Sequence, residues 1–187
     1  MNFIKTEIEG VYIIEPKIFA DSRGYFFENF SQREFIKAVY GNIDNYNDSP
    51  FFVQENQSKS CYGVIRGLHY QKKPFEQSKL VYVVKGTVLD VAVDLRKDSP
   101  TFGKHVEVEL SEDNHRQLFI PRGFAHGFSV LSKEAIFQYK CDNYYAPDYE
   151  GAVAWNDPDI GINWRIPESE IILSPKDAKV TATLKSL

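Results

Sequence analysis

From Phe51 onward the chain is a succession of short β-prone runs separated by turn residues, which limits it to a few all-β architectures. The runs cover 51–57, 63–70, 79–84, 87–95, 103–110, 115–120, 124–131 and 135–139. Turns are read at Lys85-Gly86, Asp98-Ser99-Pro100 and Pro121-Arg122-Gly123. Two earlier runs join them: Val11 to Ile14, stopped at Pro16, and the aromatic stretch Tyr25 to Phe30 behind the turn Asp21-Ser22-Arg23-Gly24. In 88–95, Val88, Asp90, Ala92 and Asp94 alternate with Leu89, Val91, Val93 and Leu95, which predicts one apolar face and one face carrying two carboxylates. About eight strands with little helix predict a jelly-roll barrel, whose interior has room for a ligand.

One amphipathic helix is expected, with Ser31 as N-cap, Glu34 completing a capping box, Phe35, Ile36 and Val39 apolar, and Gly41 as the stop. Residues 42–50 read as a polar loop. The stretch 158–187 reads as loop with a short helical turn, packed on the outside or mouth of the barrel. No repeat, low-complexity segment or linker divides the chain, so one domain is expected over 1–187, long enough to bury roughly 70% of its unfolded surface. A net charge of −4 argues against a nucleic-acid partner, and a local cluster of cations within it suits a small anionic ligand. Neither a signal peptide nor an apolar run of membrane-spanning length is present, and Cys61 and Cys141 make neither a CxxC pair nor a disulfide framework. A soluble cytoplasmic protein without membrane contact is expected.

The densest chemistry lies in Arg66-Gly67-Leu68-His69-Tyr70-Gln71, followed by Lys79. An imidazole suits proton transfer near neutrality, and neighbouring cations can hold the anion left behind; the plainer reading is a partly buried histidine beside surface cations. His126, in an aromatic strand flanked by glycine, either lines the cavity or is buried and satisfied by the backbone. Tyr139 is a candidate general acid or a packed phenol, and Tyr144 and Tyr145 follow it. Asp177 is presented by the turn Ser174-Pro175-Lys176-Asp177, and an aspartate bonded to an imidazole would fix its tautomer. No His-x-His pair assembles a divalent-metal set: Gly67 and Gln71 flank His69, and Phe124 and Phe128 flank His126. A metal-free site is expected.

The segments 21–28 (Asp-Ser-Arg-Gly-Tyr-Phe-Phe-Glu), 53–56 (Val-Gln-Glu-Asn), 64–71, 90–96, 99–103, 122–128 and 155–158 (Trp-Asn-Asp-Pro), in this order and spacing, resemble the dTDP-4-dehydrorhamnose 3,5-epimerase family over nearly the whole chain. The resemblance implies a cupin-type jelly roll with a few short peripheral helices, no cofactor, and a homodimer with exchanged N-terminal strands. It implies inversion of carbons 3 and 5 of dTDP-4-dehydro-6-deoxy-D-glucose, with a related 3- or 5-mono-epimerase as the alternative. His69 matches the family's base, Asp177 its partner, Tyr139 the acid and Lys79 the cation at the enolate oxygen. Arg23, Glu28, Gln54, Asn56, Arg66, His126, Glu150 and Lys176 match substrate-binding positions, and Phe26 and Tyr144 lie where the family stacks the thymine. Two readings from other classes are a metal-dependent cupin oxygenase or isomerase, and a non-catalytic carbohydrate-binding jelly roll.

Overall fold

A computed structural model describes residues 1–41 and 51–187; the loop expected at 42–50 lies outside the described residues. Before the helix come β1 (Asn2–Lys5), β2 (Tyr12–Glu15), β3 (Phe19–Asp21) and β4 (Gly24–Phe26), then α1 (Gln32–Val39). After it come β5 (Gln54–Cys61), β6 (Ile65–Gln71), β7 (Lys79–Lys85), β8 (Thr87–Asp94), β9 (His105–Ser111), β10 (Gln117–Ile120), β11 (Phe124–Val130), β12 (Glu134–Cys141) and β13 (Glu150–Ala152). Single 3-10 turns at Pro147–Tyr149, Glu168–Glu170, Asp177–Lys179 and Leu184–Ser186 are the peripheral helices. One sheet has the order β1-β2-β10-β7-β12-β5, the facing sheet β13-β6-β11-β8-β9, and β3 and β4 form a separate hairpin. This is the expected all-β jelly roll.

Three apolar clusters hold the layers. Between the sheets, Val81, Val83, Leu118 and Phe137 meet Val88, Val106, Val108, Leu110, Phe128 and Val130. On the outside of the five-stranded sheet, Leu68, Leu89, Val91, Val93 and Ala125 are covered by Val153, Ile160 and Trp164 of the C-terminal part. On the outside of the six-stranded sheet, Phe35 and Ile36 of α1 pack on Tyr12, Ile14, Leu80 and Phe119. The helix begins at the expected N-cap: the Ser31 hydroxyl accepts from the Glu34 N–H at 3.4 Å, which is one half of the expected capping box.

The alternation in β8 is real, but both of its faces are buried. Leu89, Val91 and Val93 lie under the C-terminal segment, while Val88 and Ala92 point between the sheets. Asp90 and Asp94, on that inward face, are fully buried. Asp94 is satisfied by Arg96, Ser99 and Thr101, which outweigh its burial and hold its pKa at about 2. Other expectations shift. The strand expected over 51–57 begins at Gln54 and ends at Cys61, because an eight-residue ladder with β12 carries a polar sequence into the sheet. The aromatic run expected over 25–30 contributes only Gly24–Phe26, paired with Phe19–Asp21. β1, β3 and β13 were not expected; they are three or four residues long, too short to show a period.

Candidate active site

Register places the polar groups on the inner faces. In the six-stranded sheet Lys79 is opposite Cys141, Cys141 opposite Gln54, and Tyr139 opposite Asn56. Residues two apart share a face, so all five project together. In the five-stranded sheet His69 is opposite both His126 and Ala152, and Gln71 is opposite Glu150. Arg66 is opposite Phe128, so the three steps from Arg66 to His69 are matched by two on β11. That one-residue β-bulge turns Arg66 and His69, which simple alternation would send to opposite faces, onto the same one. Gly67 makes it possible: its φ is 120°, and a Cβ there would lie 2.6 Å from Gly127 Cα and 2.7 Å from the His126 carbonyl oxygen.

His69 Nε2 lies 2.6 Å from Asp177 Oδ1, joining residues 108 positions apart. The Asp177 side chain is only 4% exposed and accepts from Ser174 Oγ at 2.8 Å through its other oxygen. Nε2 therefore carries the proton and the opposite ring nitrogen bears the lone pair. Burial lowers the pKa of His69; Asp177 opposes that without overcoming it. The imidazole is neutral at pH 7 and able to accept a proton. Burial likewise lowers Lys79, opposed by nearby negative groups including Asp90 and Glu150, yet none of the ion pairs among the described residues involves its ammonium. Burial raises the pKa of Tyr139, which stays protonated. His126 has a partner that sequence did not suggest: its Nε2 lies 2.9 and 3.2 Å from the two oxygens of buried Asp90. Partial burial opposes ionisation of Glu150, but Lys176 and the Tyr145 hydroxyl outweigh it and hold the carboxylate charged.

These groups surround two cavities, of about 300 and 270 Å³, that share His69, Lys79 and Tyr139. Gln54, Asn56 and Glu150 line the first; Arg66, His126, Lys176 and Asp177 line the second. Ten of the fourteen expected site residues are thus brought together. The others are not. Arg23 sits at the tip of the β3–β4 hairpin paired to Asp21, Phe26 on β4 is 70% exposed, and Glu28 is exposed beyond it. Tyr144 is 65% exposed and outside both linings, while its neighbour Tyr145 lines the first. Besides Tyr145, sequence reasoning passed over Asp90 and Ser174. Asp90 was visible as an inward polar residue of an otherwise apolar strand, whereas only the fold reveals the contact of Ser174. Among the described residues no three His, Cys, Asp or Glu side chains are grouped as a metal would require.

Residues 5–185 match the family described as dTDP-4-dehydrorhamnose 3,5-epimerase. The chain belongs to this family. A dTDP-4-dehydrorhamnose 3,5-epimerase of Shigella flexneri is 54% identical over 177 residues, 95% of this chain and 93% of that protein. The crystal structure of the dTDP-4-dehydrorhamnose 3,5-epimerase from Elizabethkingia anophelis is 50% identical, with a TM-score of 0.89 over 97% of this chain and 96% of its own. A dTDP-6-deoxy-D-glucose-3,5-epimerase from Legionella pneumophila, solved in complex with dTDP-4-keto-L-rhamnose, is 47% identical, with a TM-score of 0.90 over 98% and 93% of the two chains. The epimerase family therefore accounts for the fold over nearly all of this chain.

Proposed function

We propose that the protein inverts carbons 3 and 5 of dTDP-4-dehydro-6-deoxy-D-glucose, giving dTDP-4-dehydro-L-rhamnose, by removing and returning protons through an enolate. The observation that carries this reading is the meeting of two cavities at His69, Lys79 and Tyr139: an aspartate-bonded imidazole, a lysine amine without a carboxylate partner, and a buried phenol supplied by the sheet opposite His69.

Both carbons flank the ketone, so either carbanion is stabilised as the same kind of enolate. The gap between such a C–H and a neutral imidazole is roughly a dozen pKa units, or ~16 kcal/mol. His69 acts as the base and Asp177 stabilises the imidazolium that forms. Lys79 meets the developing oxyanion, and His126, held by Asp90, lies on the same wall as His69; each such contact in a water-poor site contributes about 3–4 kcal/mol. Inversion requires the proton to return from the other face of the ring. Tyr139, on β12 across from β6, supplies it. These roles use protein groups alone, with neither metal nor cofactor.

Arg66 and Lys176 suit a diphosphate, and Tyr145 offers a ring for the base. Arg23, Phe26 and Glu28 fit the same substrate if they act in a second subunit's site. The protein would then be a homodimer whose N-terminal strands are exchanged, a reading supported by the place of these three residues outside both cavity linings and by exposed Ile18, Phe19, Tyr25 and Phe26. A cytoplasmic location fits the two free cysteines. No helix among the described residues is long and apolar enough to cross a membrane.

Proton NMR of the product tests the reaction. Inversion at both carbons is expected; inversion at only one would make the protein a mono-epimerase on the same nucleotide sugar.

A further inference from the structure

We propose that Ser174 is a positioning residue of the proton-abstracting pair, holding Asp177 so that Asp177 in turn holds His69. The inference rests on the reading of His69 as the base and adds a third group to it.

Asp177 is delivered by irregular chain. The last sheet-like anchor before it is the bridge between Val64 and Ile172, five residues upstream. Ser174 makes three of the local bonds that fix the turn, beside the bond from the Lys179 N–H to the Lys176 carbonyl. Its carbonyl accepts from the Ala178 N–H at 3.0 Å, and its hydroxyl oxygen accepts from the Asp177 N–H at 3.0 Å. A hydroxyl has one proton to give, and here it goes to Asp177 Oδ2 at 2.8 Å. The two carboxylate oxygens are thereby committed, Oδ1 to the imidazole and Oδ2 to the serine, and rotation about the Cβ–Cγ bond is stopped. Ser174 also lines the cavity that contains His69 and Lys79, so the chain from serine to aspartate to histidine ends at the reacting region.

Removing the hydroxyl leaves a buried carboxylate oxygen short of a donor. It also leaves more negative charge on the oxygen facing His69, which favours the imidazolium. The other titratable or charged groups lining the cavities with His69 are Lys79 from β7, Glu150 from β13, His126 from β11, Tyr139 and Cys141 from β12, Tyr145 beyond it, Tyr70 on β6 itself, and Arg66 and Lys176 at the rim. None of them contacts Ser174 by hydrogen bond, so their effect on His69 is the same in wild type and variant.

The test compares wild type, Ser174→Ala, Ser174→Thr and His69→Ala in steady-state turnover across pH and in solvent-deuterium exchange. Ser174→Ala is expected to lower kcat by ~10–100-fold, the effect of one hydrogen bond to a charged group, with KM nearly unchanged. The acid limb of kcat/KM should move to higher pH. Ser174→Thr, which keeps the hydroxyl, should restore most of the rate and the wild-type limb. Wild-type kcat in Ser174→Ala, equal losses in the alanine and threonine variants, or a slow alanine variant whose acid limb stays in place would each overturn the assignment, the last two leaving Ser174 as a maker of the turn only. His69→Ala separates the two levels: if it still exchanges protons at the wild-type rate, the base itself is misassigned; if it does not and Ser174→Ala behaves as wild type, only this inference falls. Should Ser174→Ala not fold, Ser174→Cys, similar in size and a weaker donor, carries the same comparison.

Discussion

In the proposed mechanism His69 works deprotonated and Lys79 protonated, and burial drives both pKa values down, which suits the base and narrows the pH range in which the ammonium survives. A base is active only when deprotonated, so kcat/KM should rise as pH climbs through the His69 pKa, below the ordinary 6.5. The ammonium is useful only while protonated, so the rate should fall as pH passes the Lys79 pKa, below the ordinary 10.5. Burial raises Tyr139 above its ordinary value, so the phenol keeps its proton through neutral pH. A bell-shaped profile should result, and Lys79→Arg, which does not titrate in this range, should push the alkaline limb upward while lowering the plateau. An alkaline limb that Lys79→Arg leaves in place would assign it to another group. Tyr139→Phe separates the two proton transfers. It should slow net inversion by ~10²–10⁴-fold, the usual worth of a general acid, and slow proton abstraction far less; equal loss of both, read by solvent exchange against product formation, would count against Tyr139 as the acid.

Among the elements, the bulge in β6 decides whether there is a site at all. Gly67→Ala forces a Cβ into the backbone of β11 at a φ that L-residues avoid, so it should destabilise the fold by roughly 2–4 kcal/mol, readable in denaturant melts. Turnover should fall further than the folded fraction explains, because Arg66 and His69 are re-aimed together. A variant with wild-type stability and rate would show that β6 tolerates a regular register. The bulge also marks where sequence reasoning stops. β7, β8 and β11 are legible because apolar residues recur along them, and α1 because Ser31 and Glu34 announce its start. β5 is shifted in the reading because its inward residues, Gln54, Asn56, Ser58 and Ser60, are polar and line or adjoin a cavity instead of a core. Period-2 reasoning puts Arg66 and His69 on opposite faces, and only the extra residue in the ladder reconciles them. Residue chemistry singled out Arg66, His69, Lys79, His126, Tyr139 and Asp177, and the family resemblance added the other eight site residues; it pointed to Tyr144 where the cavity holds Tyr145.

At the scale of the whole molecule, folding brings together groups far apart in sequence, while leaving Arg23, Phe26 and Glu28 away from the cavity. If those three act in a partner's site, two inactive variants can complement each other. Mixing and refolding Arg23→Ala with His69→Ala gives, in each mixed dimer, one site with Arg23 of the partner subunit and its own His69 intact. Activity should then recover to about a quarter of wild type under random pairing, in a species that elutes as a dimer. No recovery, or a monomer that is fully active, would end the exchange model. The central claim concerns one nitrogen, and one measurement reaches it most directly. Wild type and His69→Ala are incubated with dTDP-4-dehydro-6-deoxy-D-glucose in heavy water, and deuterium is located by NMR. The account predicts label at carbons 3 and 5 with wild type and at neither with His69→Ala, although the variant still binds the nucleotide sugar; label entering at the wild-type rate without His69 would contradict it.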